Sequence, residues 1–286
     1  MQVNGRTNVF GVIGNPIAHT ISPLIHRVLA ESEQRNMVYV PFHVTSQLDQ
    51  AIKGAFHLNI VGMNVTVPYK SEVIDSLLAI DPLAKAIGSV NTLVRRENGY
   101  EGYNTDLYGL KRAMESEGIT LQGKTIIILG AGGTGRTAGF LCAKEGAKEI
   151  YLLNRTLEKA VEIADHVNTY FQRDTIKPMA LGDYGKITKE QVVVIQASSV
   201  GLSNPEHVII EDENFYKRVA VGFDIVYQPF ETKFIKCVKE SGGQAYNGLK
   251  MLLYQGVEAY EIWNNCKIPS RVIEDLYEQM KEVMEL

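Results

Sequence analysis

The chain has 286 residues, 45% of them hydrophobic and 22% charged, the balance of a globular protein with one large domain or two ordinary ones. A net charge of −4 provides no basic field for nucleic acid, although small anionic ligands need only a few local donors. The scattered cysteines Cys142, Cys237 and Cys266 form no CxxC pair and suit free thiols rather than a disulfide framework. The polar first residues do not read as a signal peptide, and no run approaches the ~18 apolar residues of a membrane span. A soluble cytoplasmic protein is the expectation.

Strand and helix signals alternate along the chain, the pattern of an α/β protein. Val9 to Ile13 reads as a strand. Ser22-Pro23 then predicts a helix start, with the serine as cap and the proline in the first turn. Val38 to Val44 and Ile60 to Val67 read as strands, with a helix over Leu48 to His57 between them. Asp81-Pro82 opens a short helix by the same capping logic. Ser89 to Arg95 and Tyr100 to Tyr103 predict a hairpin, with Asn98-Gly99 supplying positive φ angles to its turn. Asn104 or Thr105 caps a helix running to about Glu117, and Gly118 to Gly123 reads as a loop suited to a domain border.

A second α/β series follows. Thr125 to Leu129 is a continuous apolar strand of the kind buried on both faces of a parallel sheet. Ala138, Gly139 and Ala143 give the helix after Gly133 a surface for close packing. Glu149 to Leu153, Val192 to Gln196 and Val219 to Ile225 read as further strands. Leu249 to Trp263 and Val272 to Met284 are helical, with no strand between them.

Gly130-Ala131-Gly132-Gly133-Thr134-Gly135 lies between an apolar strand and a helix. Gly130 and Gly132 match a G-x-G-x-x-G spacing, which reads as met only in part. In this setting glycine lets the backbone approach a pyrophosphate at the helix N-terminus. The next strand ends in Asn154-Arg155-Thr156, with Lys159 one turn further on. Basic groups there, with no carboxylate at the strand end, favour a 2′-phosphate and so NADP over NAD.

Lys70 closes the segment Asn64-Val65-Thr66-Val67-Pro68-Tyr69-Lys70, where Pro68 stiffens the turn. Asp106 opens a helix. A lysine can give a proton to a developing alkoxide, and an aspartate can hold both the ammonium and a substrate hydroxyl. Thr20 and Ser22, two residues apart at a helix start, offer two hydroxyls and free N–H groups to a small carboxylate.

These motifs together resemble the shikimate dehydrogenase family over nearly the whole chain. The matching stretches are Gly14-Asn15-Pro16 with His19-Thr20-Ile21-Ser22-Pro23, then Asn64 to Lys70, Gly88-Ser89-Val90-Asn91-Thr92 and Gly102-Tyr103-Asn104-Thr105-Asp106. The glycine turn and Asn154-Arg155-Thr156 come next, followed by Asp224-Ile225-Val226-Tyr227-Gln228-Pro229 and Gly248-Leu249-Lys250-Met251-Leu252 with Gln255. The resemblance implies two domains with a site in the cleft between them. Residues 1–104 plus 247–286 would form an α/β substrate-binding domain, and 105–246 a Rossmann-like NADP-binding domain.

The resemblance further implies Lys70 and Asp106 as the catalytic pair. Thr20 and Ser22 would bind the ring carboxylate, and Thr66, Asn91, Tyr227 and Gln255 the ring hydroxyls or carboxylate. Gly130, Ala131, Gly132, Gly133, Thr134, Asn154, Arg155, Thr156 and Lys159 would bind NADP, with Ile225 and Gly248 lining the nicotinamide pocket. The implied reaction is reversible reduction of 3-dehydroshikimate to shikimate in aromatic amino-acid biosynthesis. No metal is expected, and a homodimer stays open. The alternatives are a quinate/shikimate or aminoshikimate dehydrogenase, or a non-catalytic NADP-sensing module on the same fold. The chain departs from the family pattern at Thr20, where serine is usual, and at Arg27, Lys250 and the Gln196 to Gly201 segment.

Overall fold

Five consecutive buried residues, Phe10 to Gly14, place the strand β1 (Asn8–Gly14) inside a sheet rather than at its edge. After it come α1 (Ser22–Ser32), β2 (Met37–His43), α2 (Leu48–His57), β3 (Gly62–Val65), β4 (Ala79–Ile80) and α3 (Pro82–Ile87). Then follow β5 (Thr92–Arg96), β6 (Gly99–Tyr103) and α4 (Thr105–Ser116). The strands form a mixed six-stranded sheet in the order β2-β1-β3-β5-β6-β4. β1 runs parallel to β2 and β3, while β5 is antiparallel to both β3 and β6.

The second sheet is built from β7 (Thr125–Leu129), α5 (Gly133–Lys144), β8 (Glu149–Asn154), α6 (Leu157–Phe171), β9 (Ile176–Ala180) and β10 (Val192–Gln196). It continues with α7 (Glu213–Tyr216), β11 (Val219–Asp224), α8 (Lys233–Glu240) and β12 (Gln244–Tyr246). The order β12-β11-β10-β7-β8-β9 is parallel throughout. Two helices, α9 (Leu249–Asn264) and α10 (Ser270–Val283), close the chain.

The structure is a computed structural model and describes residues 3–285. It divides into two compact units. One runs to Gly109 and resumes at Leu253; the other is Leu110–Leu252. The borders fall inside α4 and α9, and the Gly118 to Gly123 loop lies within the second unit. Trp263 shows why the C-terminal helices belong to the first unit. Its indole N–H donates to the Leu93 carbonyl at 2.9 Å, and its ring fills the space where a Cβ on Gly62 would stand. No helix among the described residues is long and apolar enough to cross a membrane.

Two local expectations need correction. Ser22 does not cap α1. It is the first helical residue, Ile21 holds the cap position, and the Ser22 N–H is taken by the Thr20 hydroxyl at 3.2 Å. The hairpin turn is Glu97-Asn98, because Arg96 pairs with Gly99; Asn98 keeps a negative φ, and only Gly99, at φ 157°, departs. Asp81 does cap α3, accepting from the Leu83 and Ala84 N–H groups at 2.9 and 3.1 Å. Asn104 rather than Thr105 caps α4, accepting from the Leu107 N–H at 3.0 Å. The strands β4, β9 and β12 go beyond the expectation; β4 has only two residues and, among the described residues, pairs only with β6. β9 contains Pro178, which an edge strand tolerates, and β12 has only three residues.

His26 of α1 is fully buried and stacks on Tyr39 of β2, ring centroids 4.1 Å apart, with Trp263 5.1 Å away. Neither ring nitrogen has a hydrogen-bond partner of good geometry. Burial pulls its pKa from the ordinary 6.5 to about 3, and the nearby Asn64 amide offsets only part of that. The folded protein therefore keeps His26 neutral while the unfolded chain takes up a proton below about 6.5. Its contribution is fully present above that pH and is lost as pH falls towards about 3. We expect urea-unfolding stability to decline across this window, with His26 supplying up to about 1.4 kcal/mol per pH unit. His26→Phe should remove that share of the slope; an equal slope in the variant would contradict the assignment.

Candidate active site

The segment after β3 holds Lys70 from three sides. Tyr69, 6% exposed, anchors it by donating to the Val44 carbonyl at 2.6 Å. The Lys70 carbonyl accepts from the Val90 N–H at 2.8 Å, and a 3-10 turn over Glu72–Ser76 follows directly. The side chain is thus aimed by the main chain on either side of it. Its Nζ lies 2.7 Å from Asp106 Oδ2. Asp106 stands in the first turn of α4, where the helix N-terminus favours a carboxylate.

Asn91 fixes the other oxygen of Asp106. The Thr105 N–H can only donate, so the atom 2.7 Å from it is Asn91 Oδ1. Asn91 Nδ2 must then face Asp106 Oδ1, at 2.9 Å, and Thr105 Oγ1, at 3.0 Å. Asn64, in turn, donates to the Asn91 carbonyl and to Thr92 Oγ1, both at 3.1 Å. Its own orientation follows from Tyr39, whose hydroxyl donates to Asn64 Oδ1 at 2.7 Å. Burial raises the Tyr39 phenol well above its ordinary range, so it remains a donor. Donation therefore runs from Tyr39 through Asn64, Thr92 and Asn91 to Asp106, which accepts from Lys70 on its other oxygen.

Thr20 Oγ1 and Ser22 Oγ are 3.1 Å apart at the start of α1, facing each other as their spacing suggests. Thr66, just past β3, is half-buried, and its methyl occupies the space a Cβ on Gly14 would need, 2.5 Å away. Gln255 is half-buried on the part of α9 that belongs to the same unit. The first unit thus brings Lys70, Asp106 and Asn91 into one network and Thr20 and Ser22 into direct contact. Tyr227 lies in the second unit, where burial raises its phenol.

Counted within the second unit, the strand order is 3-2-1-4-5-6, and the glycine turn follows the first of these strands. Gly130 has φ +114°, and a Cβ there would lie 2.9 Å from the Ala197 carbonyl oxygen. Gly135 is the sixth residue of the G-x-G-x-x-G pattern, so the spacing is complete rather than partial. Its side-chain position is 2.0 Å from the Gly130 carbonyl oxygen, so only glycine fits. At Gly132 and Gly133 nothing lies within 4 Å, leaving open space before the N-terminus of the twelve-residue α5. That cradle suits a pyrophosphate. Asn154 braces it, accepting from the Ala131 N–H at 3.1 Å and donating to the Thr156 carbonyl at 2.8 Å. Arg155, Thr156 and Lys159 are exposed beside it, and Thr134 is half-buried in α5. Ile225 and Gly248 touch: a Cβ on Gly248 would stand 2.1 Å from the Ile225 carbonyl oxygen. The residues present fit a dinucleotide carrying a 2′-phosphate.

Tyr39, Asn64, Thr92 and Thr105, and Asp224, Gln196 and Thr232 in the second unit, are not among the site residues expected from the sequence. The signal in the sequence is that Asn64 and Asp224 each open a family-like motif with a polar residue on an otherwise buried strand. Among the described residues no group of three His, Cys, Asp or Glu side chains is placed to hold a metal ion.

A doubly wound sheet with a glycine turn at its switch point, carried with a second α/β unit that holds a lysine–aspartate pair, defines a dinucleotide-dependent oxidoreductase of two domains. Three family models match consecutive parts of the chain. "Shikimate dehydrogenase substrate binding domain" matches residues 12–93, "Shikimate / quinate 5-dehydrogenase" matches 111–221, and "Shikimate 5'-dehydrogenase C-terminal domain" matches 248–276. The chain is 38% identical to the "Shikimate dehydrogenase (NADP(+))" of Aquifex aeolicus, over 96% of this chain and 97% of that one. It is 40% identical to the protein of that name from Bacillus anthracis, over 90% and 93%. A crystal structure of a shikimate dehydrogenase in complex with NADP+ superposes with a TM-score of 0.89 at 34% identity, covering 98% of this chain and 97% of that one. The chain belongs to the shikimate dehydrogenase family.

Two alanine substitutions separate folding from binding at the cradle. Gly135→Ala should cost about 1–3 kcal/mol of stability, because its Cβ meets backbone. Gly133→Ala, with open space around it, should leave the melting temperature unchanged and weaken NADPH binding measured by fluorescence titration. Equal NADPH affinity in Gly133→Ala and wild type would show that the space is not used.

Proposed function

We propose that the protein catalyses the reversible NADPH-dependent reduction of 3-dehydroshikimate to shikimate, a step of aromatic amino-acid biosynthesis. The observation that carries this reading is the Lys70–Asp106 pair at 2.7 Å, oriented by Asn91, in a chain of this family. When bound, NADPH supplies the hydride to the substrate carbonyl carbon. Lys70 gives the proton to the carbonyl oxygen and, in the oxidative direction, removes it from the hydroxyl. Asp106 holds the Lys70 ammonium and accepts from the substrate hydroxyl, its second oxygen kept in place by Asn91.

Thr20 and Ser22, at the N-terminus of α1, take the ring carboxylate. Thr66, Asn91, Tyr227 and Gln255 take the ring hydroxyls or carboxylate, each as a neutral polar group. Gly130, Ala131, Gly132, Gly133 and Thr134 hold the pyrophosphate. Asn154, Arg155, Thr156 and Lys159 hold the adenosine end, with the two basic side chains on the 2′-phosphate. Ile225 and Gly248 line the nicotinamide position. Residues 1–104 plus 247–286 would act as the substrate domain and 105–246 as the NADP domain. Free thiols at Cys142, Cys237 and Cys266 suit a reducing compartment, and we place the activity in the cytoplasm.

The test follows NADPH absorbance with shikimate and quinate as parallel substrates, and with NADP+ and NAD+ as parallel cofactors. Turnover should require shikimate and favour NADP+. Lys70→Ala should lower kcat by about 100-fold or more while NADPH still binds. An unchanged rate in that variant would remove Lys70 from the chemistry. Equal turnover of quinate would place the protein with the dual-substrate members, and no turnover of either would favour the sensing module.

A further inference from the structure

Asp224 is fully buried at the end of β11, and no step of the proposed reaction uses it. Among the described residues no cation pairs with it; three donors hold it. The Thr232 hydroxyl donates to Oδ2 at 2.6 Å, the Val226 N–H to Oδ1 at 2.9 Å and the Gln196 amide to Oδ1 at 3.2 Å. Burial pushes the carboxyl up to about 7, and the Thr232 and Val226 donors oppose that rise. A buried carboxylate without a counter-ion is costly, so its presence needs a reason beyond packing.

The reason is visible in what its partners touch. Gln196 ends β10, adjacent to β11, and its orientation is set because Oε1 accepts from both the N–H and the hydroxyl of Ser198, each at 2.8 Å. The next residue, Ala197, donates its N–H to the Leu129 carbonyl at the end of β7, at 2.8 Å, and presents the carbonyl against which Gly130 must be glycine. The Gln196 carbonyl accepts from the Ile225 N–H at 3.0 Å, and the Val226 carbonyl from the Gly248 N–H at 3.2 Å. Thr232 is also the cap of α8, accepting from the Ile235 N–H at 3.4 Å. One carboxylate therefore ties together the strand end beside the glycine turn, the Ile225–Val226 backbone and Gly248. These lie at the carboxyl ends of the parallel strands, where open α/β sheets bind their ligands.

Building on the NADPH reading above, we propose that Asp224, with Gln196 and Thr232, is a positioning residue for hydride transfer. It holds the Ile225–Gly248 wall where the nicotinamide ring must lie and does not itself touch substrate or cofactor. The adenosine and pyrophosphate contacts come from other strand ends, so losing this network leaves dinucleotide affinity largely intact and displaces only the reacting end. A misplacement of about 1 Å at that end is enough to cost about 100-fold in rate.

The test uses the full chain with Asp224→Asn, Thr232→Val and Thr232→Ser. Melting curves establish folding, fluorescence titration gives NADPH affinity, and shikimate oxidation gives kcat and KM. Shikimate deuterated at the oxidised carbon gives the isotope effect. Asp224→Asn and Thr232→Val should lose about 10- to 100-fold in kcat, with NADPH affinity and shikimate KM within about threefold of wild type. The isotope effect should rise as hydride transfer becomes limiting. Thr232→Ser, which keeps the hydroxyl, should return kcat to within about threefold of wild type. If Asp224→Asn fails to fold, the two Thr232 variants decide alone. A kcat near wild type in Thr232→Val, a slow Thr232→Ser, or a loss of NADPH affinity as large as the loss of kcat would overturn the proposal. A wild-type protein that binds NADPH but does not oxidise shikimate would fail the parent reading as well, and a normal wild-type rate with unaffected variants would fail this inference only.

Discussion

The orientation of one buried side-chain amide decides the chemistry available to the first unit. Asn91 is 2% exposed, and the Thr105 N–H forces its oxygen one way and its nitrogen the other. With that choice made, Asp106 receives a donor on one oxygen and can offer the other to Lys70. Reversing the amide would set its oxygen against the carboxylate and leave the Thr105 N–H facing another donor. Buried polar groups of this kind are costly when half satisfied and rigid when fully satisfied. Tyr39 and Asn64 continue the same direction of donation back into the core, so the reacting pair is oriented by residues that need never meet a substrate.

The second unit solves a different problem, that of bringing backbone close to backbone. Gly130, Gly135 and Gly248 each stand where a Cβ would collide with a carbonyl oxygen. Gly132 and Gly133 have the opposite environment, open space in front of a helix N-terminus. Glycine thus serves two ends in one turn: some positions let the chain pack upon itself, and others leave room for a ligand. The Asp224 network supplies the rigidity that such a side-chain-poor surface lacks.

Much of this architecture is legible in the sequence itself. The apolar run Thr125 to Leu129, the turn after it and the strand at Val192 to Gln196 stand where the pattern put them, because strands buried on both faces carry an unbroken apolar signal. β4, β9 and β12 carry no such run because they are edge strands; β9 contains Pro178, and β4 and β12 are two and three residues long. Of the candidate site, Lys70, Asp106, Thr20 and Ser22 stand out by residue type and spacing. Tyr39 and Asn64, which continue the orienting chain behind Asn91, do not, since their partners lie 25 or more residues away. Asp224 escaped notice for the same reason, its Gln196 partner lying 28 positions earlier.

The most direct test of this account is a double-mutant cycle on kcat for shikimate oxidation, with Asn91→Ala, Asp106→Ala and the two combined. If Asn91 acts by orienting Asp106, the double variant should be no more than about twofold slower than Asp106→Ala alone, because the orienting group has nothing left to orient. If the two losses multiply, Asn91 contributes to the rate independently of Asp106, and the hydrogen-bond chain that ends on that carboxylate is not what prepares the pair for proton transfer.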